Sequence, residues 1–306
     1  MSAHKSPKTI LFVQHGMTDL SGNQTIERLA NIVATEKTLI VAPHLHWVRT
    51  LFYLEPLIQE VEKTVGETLA QYPDVPVRII ATSMGGVLWV EILNRHPEWW
   101  SRVHSLILLG APIGGAHLAR RVDPLGWGIG IARDLGISRR AIAEKIAAEI
   151  PTLVIASDMG EGDDGVVSVE STKIRQAQFV CLSDVTHSEL RIHPAVVAAI
   201  RAFWEDLKAP LSKAERLELS EILVERVQMI PGMTDAHGRH FSQSKPYLGF
   251  QNGAGIHTWV GIWGIPYVFV RDEQGQCVYG GFVGWIHLWE LYQGLESIKT
   301  EFSQYL

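Results

Sequence analysis

Ser83 sits in Val77-Arg-Ile-Ile-Ala-Thr-Ser-Met-Gly-Gly86, where a β-branched run meets a serine and an apolar helical pattern then begins. The residues two places away on either side are Ala81 and Gly85. A serine held in a strained bend between strand and helix leaves no room for larger side chains at those positions. Such a bend lifts the hydroxyl clear of the sheet edge. The amide of the next residue, Met84, then belongs to a helix start, where N–H groups lack partners inside the helix and the helix dipole favours an anion. A nucleophile and one donor for a developing oxyanion therefore come from adjacent residues. The plain alternative is a strand-to-helix turn with an incidental serine.

Such a bend needs a sheet to project from, and the rest of the chain supplies strand and helix patterns in alternation. Thr9 to Val13 reads as a buried strand ending in Gln14-His15-Gly16-Met17, Thr25 to Thr35 as a helix, and Thr38 to Val41 as a second strand. Leu57, Ile58, Val61, Val65 and Leu69 keep helical spacing up to Tyr72-Pro73. After the bend, Val87, Leu88, Ile92 and Leu93 continue a helix, and His104 to Leu109 is the next strand. Further strands are expected at Thr152 to Ala156 and Phe179 to Leu182, with a closing helix from Pro194 to Leu207. Alternation of this kind predicts an α/β fold around a mostly parallel sheet.

The bend resembles the nucleophile elbow of the α/β-hydrolase superfamily, Gly-x-Ser-x-Gly, with Ala81 in the first glycine position. The resemblance covers about the first two thirds of the chain and implies a lipase- or esterase-like serine hydrolase, with Ser83 as nucleophile. It implies a central sheet flanked by helices, with a small lid insertion. By the same resemblance the His15-Gly16 turn leads to a second oxyanion donor, the amide of Met17, beside that of Met84. Gly110-Ala-Pro-Ile-Gly-Gly115 matches the turn after the strand that follows the elbow. The loop Asp163-Asp164-Gly-Val-Val is similar to the one that carries the acid, so Asp164 takes that role, with Asp184 as rival and Asp163 a lesser one. His187, on the loop after the last core strand, matches the base ahead of His193 and His15. Ser83, Asp164 and His187 fall in the order this fold uses, each just after an expected strand. The implied chemistry is cleavage of a carboxylic ester, a lipid ester among the candidates, with no metal or organic cofactor. A thioesterase or amidase would use the same residues, and a non-catalytic binding protein on this fold is a reading of another class.

The composition reads as an ordinary soluble surface with apolar content ample for a sizeable core. A net charge of −6 with both signs interspersed argues against nucleic acid as the main partner. Cys181 and Cys277 show neither a disulfide framework nor zinc spacing, and Cys181 is expected in a buried strand. The N-terminal apolar run is too short for a signal peptide and no stretch is long enough to cross a membrane, so a cytoplasmic protein is expected, with peripheral membrane contact left open and oligomeric state not legible. His44 and His46 read as solvated loop residues, and Asp235, His237 and His240 lack a fourth ligand for a metal.

Domain boundaries are expected at residues 1–209 for the hydrolase part and 210–306 for a C-terminal α+β unit of unknown role. The insertion at about 116–150 joins a glycine-hinged apolar half to an Ala-rich helical half, and suits a lid or a packed connection equally. Beyond residue 210, Leu211 to Ile230 reads as helical, Pro231 to Asn252 as loop, and Thr258 to Ile262, Tyr267 to Val270 and Cys277 to Val283 as strands. Four of the ten tryptophans, Trp259, Trp263, Trp285 and Trp289, lie here and are expected to pack as a small core rather than form a recognition surface.

Overall fold

The computed structural model describes residues 6–16, 24–43, 45, 53–115, 134–160, 162–207 and 218–305. Met17, His44, His46, the glycine-hinged half of the insertion and residues 208–217 lie outside the described residues. The chain runs β1 (Thr9–Gln14), α1 (Gln24–Val33), β2 (Thr38–Val41), α2 (Glu55–Gln71), β3 (Val77–Thr82), α3 (Met84–Arg95) and β4 (Val103–Leu109). It continues with α4 (Arg140–Ala147), β5 (Thr152–Asp158), the single turn α5 (Val169–Thr172), β6 (Gln178–Ser183) and α6 (Pro194–Asp206).

The six strands form one parallel sheet in the order β2-β1-β3-β4-β5-β6. Central strands of such a sheet are covered on both faces, which is why β1, β3 and β4 read as apolar runs. Successive side chains serve opposite layers. Ile10 and Phe12 pack under α2, α3 and α4, with the Phe12 and Trp89 rings 5.4 Å apart. Leu11 and Val13 pack under α1 and α6, where the Trp204 indole donates to Ser105 Oγ at 3.0 Å. No helix among the described residues is long and apolar enough to cross a membrane.

Cys181 is exposed, contrary to expectation. It lies on β6, the outer strand of the sheet. Val180 and Leu182 pack on the layer under α1 and α6, whereas Phe179 and Cys181 project from the opposite face and stay exposed. The apolar run is real, but only one of its faces is covered. In the insertion, the described half is a packed connection: Ala143 and Ile146 of α4 are buried in the core and Arg139 pairs with Glu91 at 2.5 Å.

The last ninety residues add α7 (Leu219–Gln228), β7 (Met233–Ala236), β8 (Lys245–Gly249), β9 (Gly255–Val260), β10 (Pro266–Arg271), β11 (Cys277–Val283) and α8 (Leu288–Glu301). Their antiparallel sheet has the order β7-β11-β10-β9-β8. The stretch from Pro231 to Asn252, expected as loop, thus contributes both edge strands. Each is short and carries polar residues or proline, so neither shows the alternation that marks a strand. Helices α7 and α8 cover one face through Leu223, Val227, Leu291, Leu295 and Ile298.

The tryptophans correct a second expectation. Trp259 is half-buried, stacked on His240 at 4.3 Å and against Tyr267. Trp263 is 79% exposed, Trp289 70% and Trp285 39%. The core of this unit is built from Ile, Val, Leu, Phe and Tyr instead. Trp263 sits in the turn between β9 and β10 with φ +65°, so the backbone there adopts a conformation that side chains disfavour.

Candidate functional site

Ser83 lies between the last residue of β3 and the first of α3, with φ +53° and ψ −129°. That region costs on the order of 1–3 kcal/mol for a residue with a side chain, and it persists only where neighbours over-determine it. The neighbours do so here. Ser83 N donates to Leu109 O of β4 at 2.9 Å, and Gly86 N donates to Ser83 O at 3.0 Å. A Cβ on Gly85 would lie 2.7 Å from His15 O and 2.8 Å from Gln14 O. One on Gly16 would lie 2.7 Å from Ser83 Cβ. The end of β1 is therefore pressed against the bend, and both glycines are required by close approach. Met84, almost fully buried, opens α3 at its N-terminus. Gly85→Ala should force two backbone carbonyls apart and destabilise the fold by about 1–3 kcal/mol, read as a lower urea midpoint. An unchanged midpoint would show that the β1 end yields freely.

His187 and Asp164 meet across 23 residues. His187 Nδ1 lies 2.6 Å from Asp164 Oδ2, and His187 N donates to Asp164 O at 3.0 Å. The other carboxylate oxygen, Oδ1, accepts from Val166 N at 3.0 Å and Val167 N at 2.7 Å, so the turn after Asp164 folds back onto its own side chain. The Asp164 side chain is buried; that of His187 is 18% exposed. An ionised carboxylate only accepts, so Nδ1 carries the proton and Nε2 is left as an acceptor.

Gly110 connects the pair to the bend. Its φ is +53°, and a Cβ there would lie 3.1 Å from both Asp164 Oδ2 and His187 Cε1. The preceding residue, Leu109, is the one whose carbonyl holds Ser83 N. Ser83 and the His187–Asp164 pair thus flank the same end of β4. This is the carboxyl end of the parallel strands, where loops from separate strands converge.

The other candidates have different places. Asp163 Oδ1 accepts from Gly165 N at 2.9 Å and Oδ2 lies 3.8 Å from Arg239. Asp184 is exposed, with φ +57° and its amide donating to Asp158 O at 3.0 Å. His193 caps α6, its Nδ1 accepting from Ala195 N at 3.3 Å. The His15 ring lies against its own neighbour, with Nδ1 2.7 Å from Gly16 O. His237 accepts from Arg239 N, and Asp235 is buried against Arg140 and Tyr279. Among the described residues no group of three His, Cys, Asp or Glu side chains could hold a metal. Met17 lies outside the described residues, directly after Gly16.

Two features go beyond what the sequence signalled, which for Gly16 and Gly110 was a turn and nothing more. Gly16 and Gly110 are ordinary turn glycines until the strands that press on them are known. The Arg140–Asp235 pair joins residues 95 apart.

The six-stranded parallel sheet, the bend after β3 and the loops after β5 and β6 define the α/β-hydrolase fold. Est1E and BlEst2 are two of the solved structures to which the chain is similar. Est1E from Butyrivibrio proteoclasticus, in a structure with ferulic acid bound, matches with a TM-score of 0.51 and 14% identity over 68% of this chain and 93% of its own. The Bacillus licheniformis lipase BlEst2 in its propeptide form matches with a TM-score of 0.50 and 15% identity, covering 90% of this chain and 68% of that one. The second match takes in part of the C-terminal sheet as well. No protein-family model and no curated protein sequence matches the chain.

Proposed function

We propose that the protein is a serine hydrolase that cleaves carboxylic esters, with Ser83 as nucleophile, His187 as base and Asp164 as the acid that orients it. The observation that carries the reading is the 2.6 Å His187–Asp164 bond seated on Gly110, one peptide from the carbonyl that holds the strained Ser83. The chemistry follows from those positions. His187 Nε2 takes the Ser83 hydroxyl proton as Oγ bonds to the ester carbonyl carbon. The carbonyl π electrons move to oxygen, where the Met84 amide, and by resemblance that of Met17, stabilise the charge. The C–O bond to the alcohol then breaks as imidazolium returns the proton to it. Water, deprotonated by His187, attacks the acyl-serine, and the acid and free Ser83 are released. No step draws on a metal or organic cofactor.

A fluorophosphonate probe tests this directly, because it reacts only with an activated serine. Labelling at Ser83, abolished in His187→Gln and retained in His193→Gln, is expected. Absence of labelling would favour a non-catalytic protein on the same fold. Rates on p-nitrophenyl esters of increasing chain length, set against thioester and amide analogues, separate the ester reading from a thioesterase or amidase.

The exposed aromatics favour a lipid ester over a small soluble one. Trp263, Trp285, Trp289 and Tyr292 are amphipathic side chains suited to the headgroup level of a bilayer. The Trp263 turn adjoins Trp285, since a Cβ on Gly264 would come 4.0 Å from its indole nitrogen. The full chain is expected to bind neutral phosphatidylcholine vesicles, and Trp263→Ala and Trp289→Ala each to weaken that binding by about tenfold, equivalent to ~1.4 kcal/mol of lost apolar burial. Rates on soluble esters should stay at the wild-type level. Wild-type protein that ignores vesicles at all lipid concentrations would return the substrate to the soluble class.

A further inference from the structure

The C-terminal sheet reaches the neighbourhood of the acid through one buried cluster. Asp235, on β7, is fully enclosed. Its Oδ2 accepts from Arg140 Nη2, its Oδ1 accepts from the Tyr279 hydroxyl at 2.7 Å, and its amide donates to Gly114 O at 3.3 Å. Arg140, on α4, is also buried and directs its remaining Nη contacts at the backbone of α5. Nη1 donates to Lys173 O, and Nη2 to Glu170 O at 3.0 Å. One carbonyl inside a one-turn helix and one on the residue that ends it are therefore held by a guanidinium, and that guanidinium is held by a carboxylate from another sheet.

Helix α5 directly follows the acid turn. Ser168 caps it, with Oγ accepting from Ser171 N at 3.4 Å, and Ser168 also bridges to Asp163, the neighbour of Asp164. Val169 N donates to Gly162 O at 2.9 Å, and Gly114 N donates to Ser171 O at 2.7 Å. The segment that aims the Asp164 carboxylate is thus fixed at one end by β5 and at the other by α5. An isolated four-residue helix has no stability of its own. Its position depends on what grips it, and its far end is held by Arg140 together with the Gly114 amide on Ser171 O. The turn from Gly110 to Gly115 also finds its reason here: a side chain on Gly114 would fall on the Asp235 carboxylate.

We propose that Asp235 is a positioning residue for the hydrolase site: through Arg140 and α5 it sets the turn that presents Asp164 to His187, so the C-terminal sheet completes the active site of the parallel one. The inference rests on the Ser83–His187–Asp164 reading above. The charge logic supports it. A guanidinium this deeply buried would be costly alone, and the adjacent Asp235 keeps Arg140 charged. Removing the Asp235 charge takes away the carboxylate bonded to Arg140 and leaves it two carbonyls and the weaker pull of Glu144, so the balance shifts toward moving the guanidinium toward water. Such a movement drags the end of α5 with it.

The test uses the full chain with Asp235→Asn and the milder Tyr279→Phe, beside Asp164→Asn as reference. Readouts are kcat and KM on p-nitrophenyl butyrate, the rate of fluorophosphonate labelling, and the downfield proton resonance of His187 Nδ1–H. In folded Asp235→Asn, kcat and labelling rate are expected to fall roughly 10- to 100-fold with KM within about twofold, as for partners that orient a catalytic group. The His187 resonance should shift or broaden. Tyr279→Phe should move all three the same way by less, and it decides the matter should Asp235→Asn fail to fold. A purely structural role predicts a lower melting temperature with kcat and resonance unchanged in the folded protein, and that result overturns the proposal. An Asp164→Asn variant as active as wild type overturns the underlying site reading instead, and the positioning role with it.

Discussion

Ser83→Ala is expected to lower kcat/KM on p-nitrophenyl esters by roughly 10⁶-fold, the scale on which removing the nucleophile of a serine triad is felt. Ser83 Oγ is the hydroxyl lifted from the sheet by a backbone strained at φ +53°, and the end of β1 closes on it at Gly16. Alanine keeps the same Cβ in the same backbone, and the holding bonds from Ser83 N and to Ser83 O are main-chain ones. Stability should therefore stay within about 0.5 kcal/mol of wild type. The measurement pairs steady-state rates with a urea melt. A folded variant with wild-type turnover would remove Ser83 from the mechanism altogether, and residual activity near the stated loss would be what the oxyanion donors and binding still provide.

Asp164→Asn should lower kcat by about 10⁴-fold, because the amide leaves His187 with the wrong tautomer to accept a proton. With a carboxylate at 2.6 Å, Nδ1 must donate and Nε2 can accept. An amide nitrogen facing Nδ1 reverses that preference. Asp184→Asn is the matched control, only three residues from His187 in sequence but exposed, with its amide tied to Asp158. It is expected to stay within a few-fold of wild type. Wild-type rates for Asp164→Asn with a large loss for Asp184→Asn would transfer the acid to the nearer residue.

That pair of aspartates marks the limit of what can be read along a chain. A short β-branched run, a serine and flanking small residues are local facts, and they suffice to specify the bend, because steric exclusion within five residues depends on nothing farther away. The alternation of strands and helices is nearly as local, since each element carries its own period and its own stop signals, and a parallel α/β sheet follows from it. Where the pattern is local, the expected elements and the observed ones coincide to within a few residues, as for β2 and α6.

What failed was whatever depended on a second surface. Cys181 sits in a run as apolar as any other, yet β6 has a helix layer on one face only, and nothing in residues 178–183 reports that the other face is bare. Strands β7 and β8 are too short and too polar to be recognised alone; they are strands because β11 and β9 offer hydrogen bonds to them. The tryptophans of the C-terminal unit are attractive core residues by type, and three of them are exposed because smaller apolar residues already fill that core.

The sequence by itself determined the bend at Ser83 and the order of elements, consequences of short-range sterics and periodicity, and through its resemblance to the α/β-hydrolase elbow it implied the nucleophile and the class of fold. Only the tertiary structure decided which carboxylate meets His187, that Gly16 and Gly110 must be glycine, and that Arg140 lies between Asp235 and the end of α5. Those are contacts between residues up to 95 positions apart. The free energy of such a contact depends on burial and on geometry that the rest of the fold imposes, and neither is a property of the residues taken in order.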